Sequence, residues 1–186
     1  MISAMVRALT VVVLLVLLLC LLPHPASAQP SVEVSGGYSL ARDPRDEVTL
    51  PAGWMAGAAV GLTHWLSAVA DASGQYTTIA LVGSEARLSV HTVMGGVRAS
   101  ARIGALTQFG QVLVGIVRAS GSAFGSTEVS HSLGIQPGVG ADYPLTRTFT
   151  ARAELDIRLI RHQPTTDNSG YEYRFVTGLV YRIGPR

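Results

Sequence analysis

The sequence predicts an all-β chain: an eight-stranded antiparallel up-and-down transmembrane β-barrel with a polar, side-chain-filled interior, preceded by a cleaved leader. Three observations predict it. Long stretches alternate between apolar and polar residues, the period of a strand. The links between those stretches are alternately short and long. Only 14% of the 186 residues are charged while 48% are hydrophobic, whereas a soluble domain carries about 25% charged residues. Disorder and coiled-coil structure are excluded by the same figures. Every cation in the chain is an arginine, and the formal net charge is only +2, too small for a basic nucleic-acid binder.

The leader comes first. Arg7 precedes an uncharged run from Ala8 to Leu22, and Ala26-Ser27-Ala28 has the small-x-small form of a signal-peptidase site. These are the parts of a secretory signal cleaved after Ala28, giving a signal peptide over 1–28 and a barrel domain over 29–186. The apolar run is shorter than the roughly 20 residues of a spanning helix. Cys20, the one cysteine, follows three leucines rather than the small residue a lipoprotein signal needs, so the mature chain carries no thiol chemistry.

Strands are expected near 31–41, 53–62, 65–77, 88–102, 105–119, 128–142, 147–160 and 171–183. The clearest is the seventh, where Phe149, Ala151, Ala153, Leu155, Ile157 and Leu159 alternate with Thr148, Thr150, Arg152, Glu154, Asp156 and Arg158. The eighth sets Tyr171, Tyr173, Phe175, Leu179, Tyr181 and Ile183 against Glu172, Arg174 and Arg182. In the fifth, Val112–Val117 is apolar on both parities, and the pattern leaves its facing open. Short turns fall at Thr63-His64, Ile103-Gly104 and Pro144-Leu145-Thr146; longer links fall at 42–52, 78–87, 120–127 and 161–170. Short turns at one end and long polar loops at the other is the layout of outer-membrane barrels.

A soluble barrel alternates in the same way with its faces reversed, so charge decides between the two. One parity collects Glu33, Asp71, Glu128, Asp142, Glu154, Asp156 and Glu172 against Arg98, Arg102, Arg152, Arg158, Arg174 and Arg182, with Arg118 joining if the fifth strand follows suit. Such matched charge fits a closed interior in which every buried ion has a partner. Glycines share that parity, among them Gly37, Gly57, Gly96, Gly138 and Gly178, leaving room for arginine side chains. The other parity is almost uncharged and carries Trp54, Trp65, Tyr76, Tyr143, Tyr171 and Tyr181, as aromatic girdles at a lipid interface would. An Arg on the lipid face near the midplane costs about 2–4 kcal/mol, so the parity of a membrane barrel must be strict.

Gly53-Trp54, Trp65-Leu66, Asp71-Ala72-Ser73-Gly74, Gly95-Gly96-Val97-Arg98, Leu133-Gly134 with Gly138-Val139-Gly140, and the closing Gly178–Gly184 segment resemble the outer membrane protein β-barrel domain family. Those are small barrels of the outer-membrane protein A/X and opacity type. The resemblance spans essentially the whole mature chain and implies a Gram-negative cell-envelope protein with no shared catalytic set. Such barrels usually end on an aromatic residue read by the insertion machinery, whereas this sequence ends Gly184-Pro185-Arg186. Either Tyr181 serves as that signal or assembly differs.

No enzymatic constellation emerges. A lipid-A-deacylase-like His-x-Ser element needs both side chains on one face, but Ser130-His131-Ser132 puts His131 on the opposite parity from its serines. His64, His91 and His162 lack metal-ligand spacing, and the glycine pairs lack a phosphate-loop context. No cofactor or metal is expected. The expected role is non-enzymatic, in envelope integrity or surface interaction, for a monomer in the bacterial outer membrane. Its partners would be outer-membrane lipid and lipopolysaccharide, with an extracellular protein or glycan contacted through loops 42–52 and 161–170, and no nucleic acid. The alternatives are a lipid-modifying outer-membrane enzyme and a soluble secreted ligand-binding barrel.

Overall fold

The fold was analysed in a computed structural model, which describes residues 31–44, 48–81, 84–123, 126–161 and 170–183. The expected leader over 1–28 and its expected cleavage site lie outside them. The strands are β1 (Val32–Asp43), β2 (Val48–Leu50), β3 (Ala52–Gly61), β4 (Leu66–Leu81), β5 (Ser84–Ile103), β6 (Leu106–Ala123), β7 (Ser126–Pro144), β8 (Phe149–Arg161) and β9 (Gly170–Ile183). The strands pair antiparallel in the order β2-β1-β3-β4-β5-β6-β7-β8-β9, and β1 also pairs with β9 along Val32↔Ile183 to Arg42↔Tyr173. That last ladder closes the sheet into a barrel without exposed edges.

β2 and β3 together form one stave, so nine strands make an eight-stave barrel. Their registers against β1 differ by one residue: Tyr38 faces Trp54, whereas Ala41 faces Leu50. The extra residue is a β-bulge beside Pro51, which has no N–H to give to the ladder. The Tyr38 hydroxyl donates to the Pro51 carbonyl and covers the break. The bulge also resets the parity, so that Leu50 turns inward beside buried Ala41.

The short turns share a chemistry. Thr63 Oγ1 accepts from the backbone N–H of Leu66 at 3.0 Å, and Thr146 Oγ1 accepts from that of Phe149 at 2.9 Å. In both, the hydroxyl satisfies the donors that the reversing chain leaves unpaired. The third turn uses Gly104 at φ 62°, the left-handed region that a side chain rarely enters. This tight hairpin pins Ile103 against Leu106.

At the opposite end the strands run further than the pattern predicts. The expected loops 78–87 and 120–127 are largely ladder, paired up to Leu81↔Ser84 and Ala123↔Ser126. Thr77 and Thr78 favour strand through their branched Cβ, but both parities from 77 to 81 mix polar and apolar residues, so the alternation fades. Of the other two expected loops, residues 45–47 and 162–169 lie outside the described set.

Burial decides which face is inside. Along β8, Arg152, Glu154, Asp156 and Arg158 are buried, with Glu154 2% exposed, whereas Leu155 is 49% exposed and Phe149, Ile157 and Leu159 face out beside it. β9 repeats the pattern with buried Glu172 and Arg174 against outward Tyr173, Phe175 and Leu179. The interior is not wholly polar: Ala59, Val69, Met94, Leu113 and Val117 form an apolar cluster within it. The charges are therefore inside and the apolar wall outside, and a wall of this extent requires an apolar medium.

Leu155→Arg is expected to abolish assembly into lipid vesicles, because it sets a charge on the outer wall at about 2–4 kcal/mol. Glu154→Gln keeps a hydrogen-bond acceptor at an interior position and should leave assembly near wild type. Heat-modifiable gel migration after refolding reads both, and the reverse ordering would mean that the wall and the lumen are exchanged.

Candidate functional site

Arg174, fully buried on β9, is the hub of the interior. Its Nη1 and Nη2 donate to the two Asp71 oxygens at 3.0 and 3.2 Å, its Nε to Asp156 Oδ2 at 2.8 Å and its Nη2 to Glu154 Oε1 at 3.1 Å. Asp71 stands on β4, so this contact crosses the lumen. Arg98 of β5 donates twice to Gln111 Oε1, at 3.0 and 2.7 Å, and Gln111 Nε2 passes the contact to Glu154 Oε1 at 2.8 Å. Arg152 grips Asp142 with two bonds of 2.8 and 2.7 Å and lies 3.5 Å from Glu33, which also receives Arg182. Towards the loop end, Arg158 pairs with Glu172 and donates to Gln136 Oε1 at 2.9 Å. The Phe109 ring lies between two cations, 4.3 Å from the Arg98 guanidinium carbon and 4.8 Å from that of Arg152, a cation–π contact in a dry site.

The backbone makes room for these groups where β7 faces β8. Gly138 is the register partner of Asp156, and the Asp156 carboxylate occupies the space a Cβ would take. Beside it Pro137 gives no N–H, and the β7–β8 ladder skips from Ile135↔Leu159 to Gly138↔Asp156.

Eleven of the fourteen residues expected to line the interior meet there: Glu33, Asp71, Arg98, Asp142, Arg152, Glu154, Asp156, Arg158, Glu172, Arg174 and Arg182. Three do not. Arg102 has the inward parity but stands at the turn-end mouth, exposed, with its Nε donating to the Gly104 carbonyl at 3.3 Å. Arg118 points outward, because β6 presents Phe109, Gln111, Leu113 and Val117 to the lumen and Val112, Val114 and Ile116 to the outside. The Glu128 side chain lies outside the described residues. Gln111 and Phe109 were missed for the same reason as Arg118: β6 had no facing. The hairpin at Gly104 holds the signal, since directly opposed residues share a face and Arg98 opposes Gln111 while His91 opposes Arg118.

Trp54, Tyr76, Tyr143 and Tyr181 all face outward, as does the backbone parity of Tyr171; Trp65 sits half-buried in a turn. His131 is exposed on the outer face, away from its flanking serines. Among the described residues no group of His, Asp and Glu is arranged to hold a metal ion.

The architecture has solved counterparts. Ail, the attachment invasion locus protein of Yersinia pestis, crystallised with the heparin analogue sucrose octasulfate, aligns at TM-score 0.61 and 17% identity, covering 84% of this chain and all of that one. Neisserial surface protein A aligns at TM-score 0.61 and 15% identity, over 82% of this chain and 96% of its own. The N-terminal β-barrel domain of Pseudomonas aeruginosa OprF aligns at 0.59 and 12%, over 84% and 100%. This is the fold of the small outer-membrane β-barrels. The chain matches no family model and no curated protein sequence, and at these identities the outer-membrane barrel likeness is one of architecture.

Removing Arg174 would leave Asp71, Glu154 and Asp156 facing one another without their shared cation. Arg174→Met should therefore lower stability by about 3–5 kcal/mol, the range for breaking a buried ion pair from one side. Arg174→Lys should recover only part of it, because an ammonium lacks the planar fork that serves three carboxylates at once. The urea midpoint of the folded form in vesicles measures both.

Proposed function

We propose that the chain is a non-enzymatic outer-membrane barrel of a Gram-negative envelope, acting in envelope integrity or surface interaction. The observation that carries this reading is the filled lumen. Arginine–carboxylate pairs reach across it from β9 to β4 and from β8 to β1, and the cavity bounded by Glu33, Asp71, Arg98 and Arg152 holds about 10 Å³, no more than a single water needs. Such an interior is a strut: it neither conducts ions nor takes up a solute, which weighs against a ligand-binding barrel. The catalytic alternative has little support in the geometry, since the histidine of Ser130-His131-Ser132 is turned away from both serines.

Work is then left to the loop end, where the prolonged β4–β5 and β6–β7 hairpins stand and to which the sequence assigns the expected loops 42–52 and 161–170. The neighbours agree with that assignment by name: one is an attachment and invasion protein seen with a polysulfated sugar, another a surface protein. For this chain the reading implies a monomer exported through its 1–28 leader, embedded in lipid and lipopolysaccharide, and meeting a glycan or an extracellular protein through those loops.

Purified protein reconstituted in planar bilayers is expected to give no stable conductance steps. Sustained open channels would contradict the plugged interior and return a transport role to the barrel.

A further inference from the structure

We propose that the outward row formed by His91, Arg118 and His131 seats a phosphate group of an outer-leaflet glycolipid; the inference rests on reading the chain as an outer-membrane barrel. Three adjacent staves build the row. His91 on β5 is the register partner of Arg118 on β6, which is in turn the partner of His131 on β7. One layer towards the turns, Val93, Ile116 and Leu133 are partners in the same way, and all three are exposed apolar side chains. One layer towards the loops, the Ser89 and Ser120 hydroxyls meet at 2.8 Å. The row is thus the first polar layer above the apolar wall, at the end carrying the long hairpins, which in such barrels is the extracellular side.

This depth removes the difficulty that an outward arginine poses. At the midplane it would cost about 2–4 kcal/mol, and near the interface about 0–1. Arg118 also differs from the interior arginines in making no ion pair among the described residues. Its described outward neighbours on β5 and β7 are basic, hydroxylic or apolar and include no carboxylate. A cation at the headgroup level with no carboxylate partner among the described residues is complementary to a lipid phosphate, and the guanidinium fork matches phosphate oxygens two at a time.

His91 is held ready by its neighbours. Trp54 Nε1 donates to the Tyr76 hydroxyl at 3.3 Å, and that hydroxyl lies 3.0 Å from His91 Nε2, with the two rings edge to face. With Nε2 engaged by the Tyr76 hydroxyl, Nδ1 is the ring nitrogen left to meet a ligand. Trp54 and Tyr76 also place an aromatic girdle at the same level.

Wild-type protein in phospholipid nanodiscs, titrated with bisphosphorylated lipid A and read by native mass spectrometry, tests the site. Arg118→Gln should weaken lipid A retention about tenfold, the loss of one charged phosphate contact. Arg118→Lys should weaken it less, and Arg147→Gln, in the opposite turn, should change nothing. Dephosphorylated lipid A should bind wild type no better than it binds Arg118→Gln, and inorganic phosphate should not displace bound lipid A. Equal retention by wild type and Arg118→Gln, with both showing heat-modifiable migration, would overturn the phosphate seat and leave the barrel reading standing. Displacement by inorganic phosphate would reassign the row to a free anion. Failure of wild type to enter lipid would overturn both readings.

Discussion

Fixing Arg174 among Asp71, Glu154 and Asp156 constrains the whole molecule. A guanidinium buried this completely is tolerable only with its donors matched to acceptors, and those acceptors stand on the adjacent β8 and on β4, about a hundred residues away across the lumen. To deliver them, each stave must keep its register and its facing, because a slip of one residue would carry every charge to the wall. The barrel's closure, its plugged lumen and its apolar exterior are therefore three aspects of one requirement. The lumen satisfies charge by pairing it, and the wall avoids charge by surrendering it to the lumen.

The sequence makes much of this legible where the two faces differ in chemistry. β8 alternates between charged and apolar residues so strictly that its facing follows from the order alone, β9 does so from Tyr171 to Phe175, and the pairing of Asp142 with Arg152 and of Asp156 with Arg174 accords with it. The reading lapses where that contrast lapses. Val112 to Val117 is apolar on both sides because part of the lumen is itself apolar, built from Leu113 and Val117 against Met94, so Arg118 could not be assigned. The upper halves of β4–β7 escaped because the alternation there no longer matches that of the lower halves: Arg87, Ser89, Arg118 and Ser120 fall on parities that are apolar nearer the turns. Pro51 hid a bulge, which a period-two count cannot register.

Arg118 shows how strictness and exception coexist. Deep in the wall an outward arginine would undo the fold, but at the rim its charge is nearly free, and the wall's first polar layer falls where His91, Arg118 and His131 line up. A barrel whose lumen is committed to structure can still present chemistry on its outside, at the depth where lipid phosphates lie, and above it on the hairpins that meet the surroundings. On the proposed reading, function on this scaffold belongs to its rim and exterior rather than its bore.

Because Cys20 is the only cysteine in the sequence, replacing it lets single cysteines be placed one at a time through β8 without background. Labelling positions 151 to 159 with an environment-sensitive fluorophore in vesicles that carry a quencher on the lipid tails gives the facing of each residue directly. Quenching should rise and fall with a period of two, strong at Ala151, Ala153, Leu155, Ile157 and Leu159 and weak at Arg152, Glu154, Asp156 and Arg158. Strong quenching at the charged positions, or none at either set, would contradict a lipid-facing wall around a paired, buried lumen.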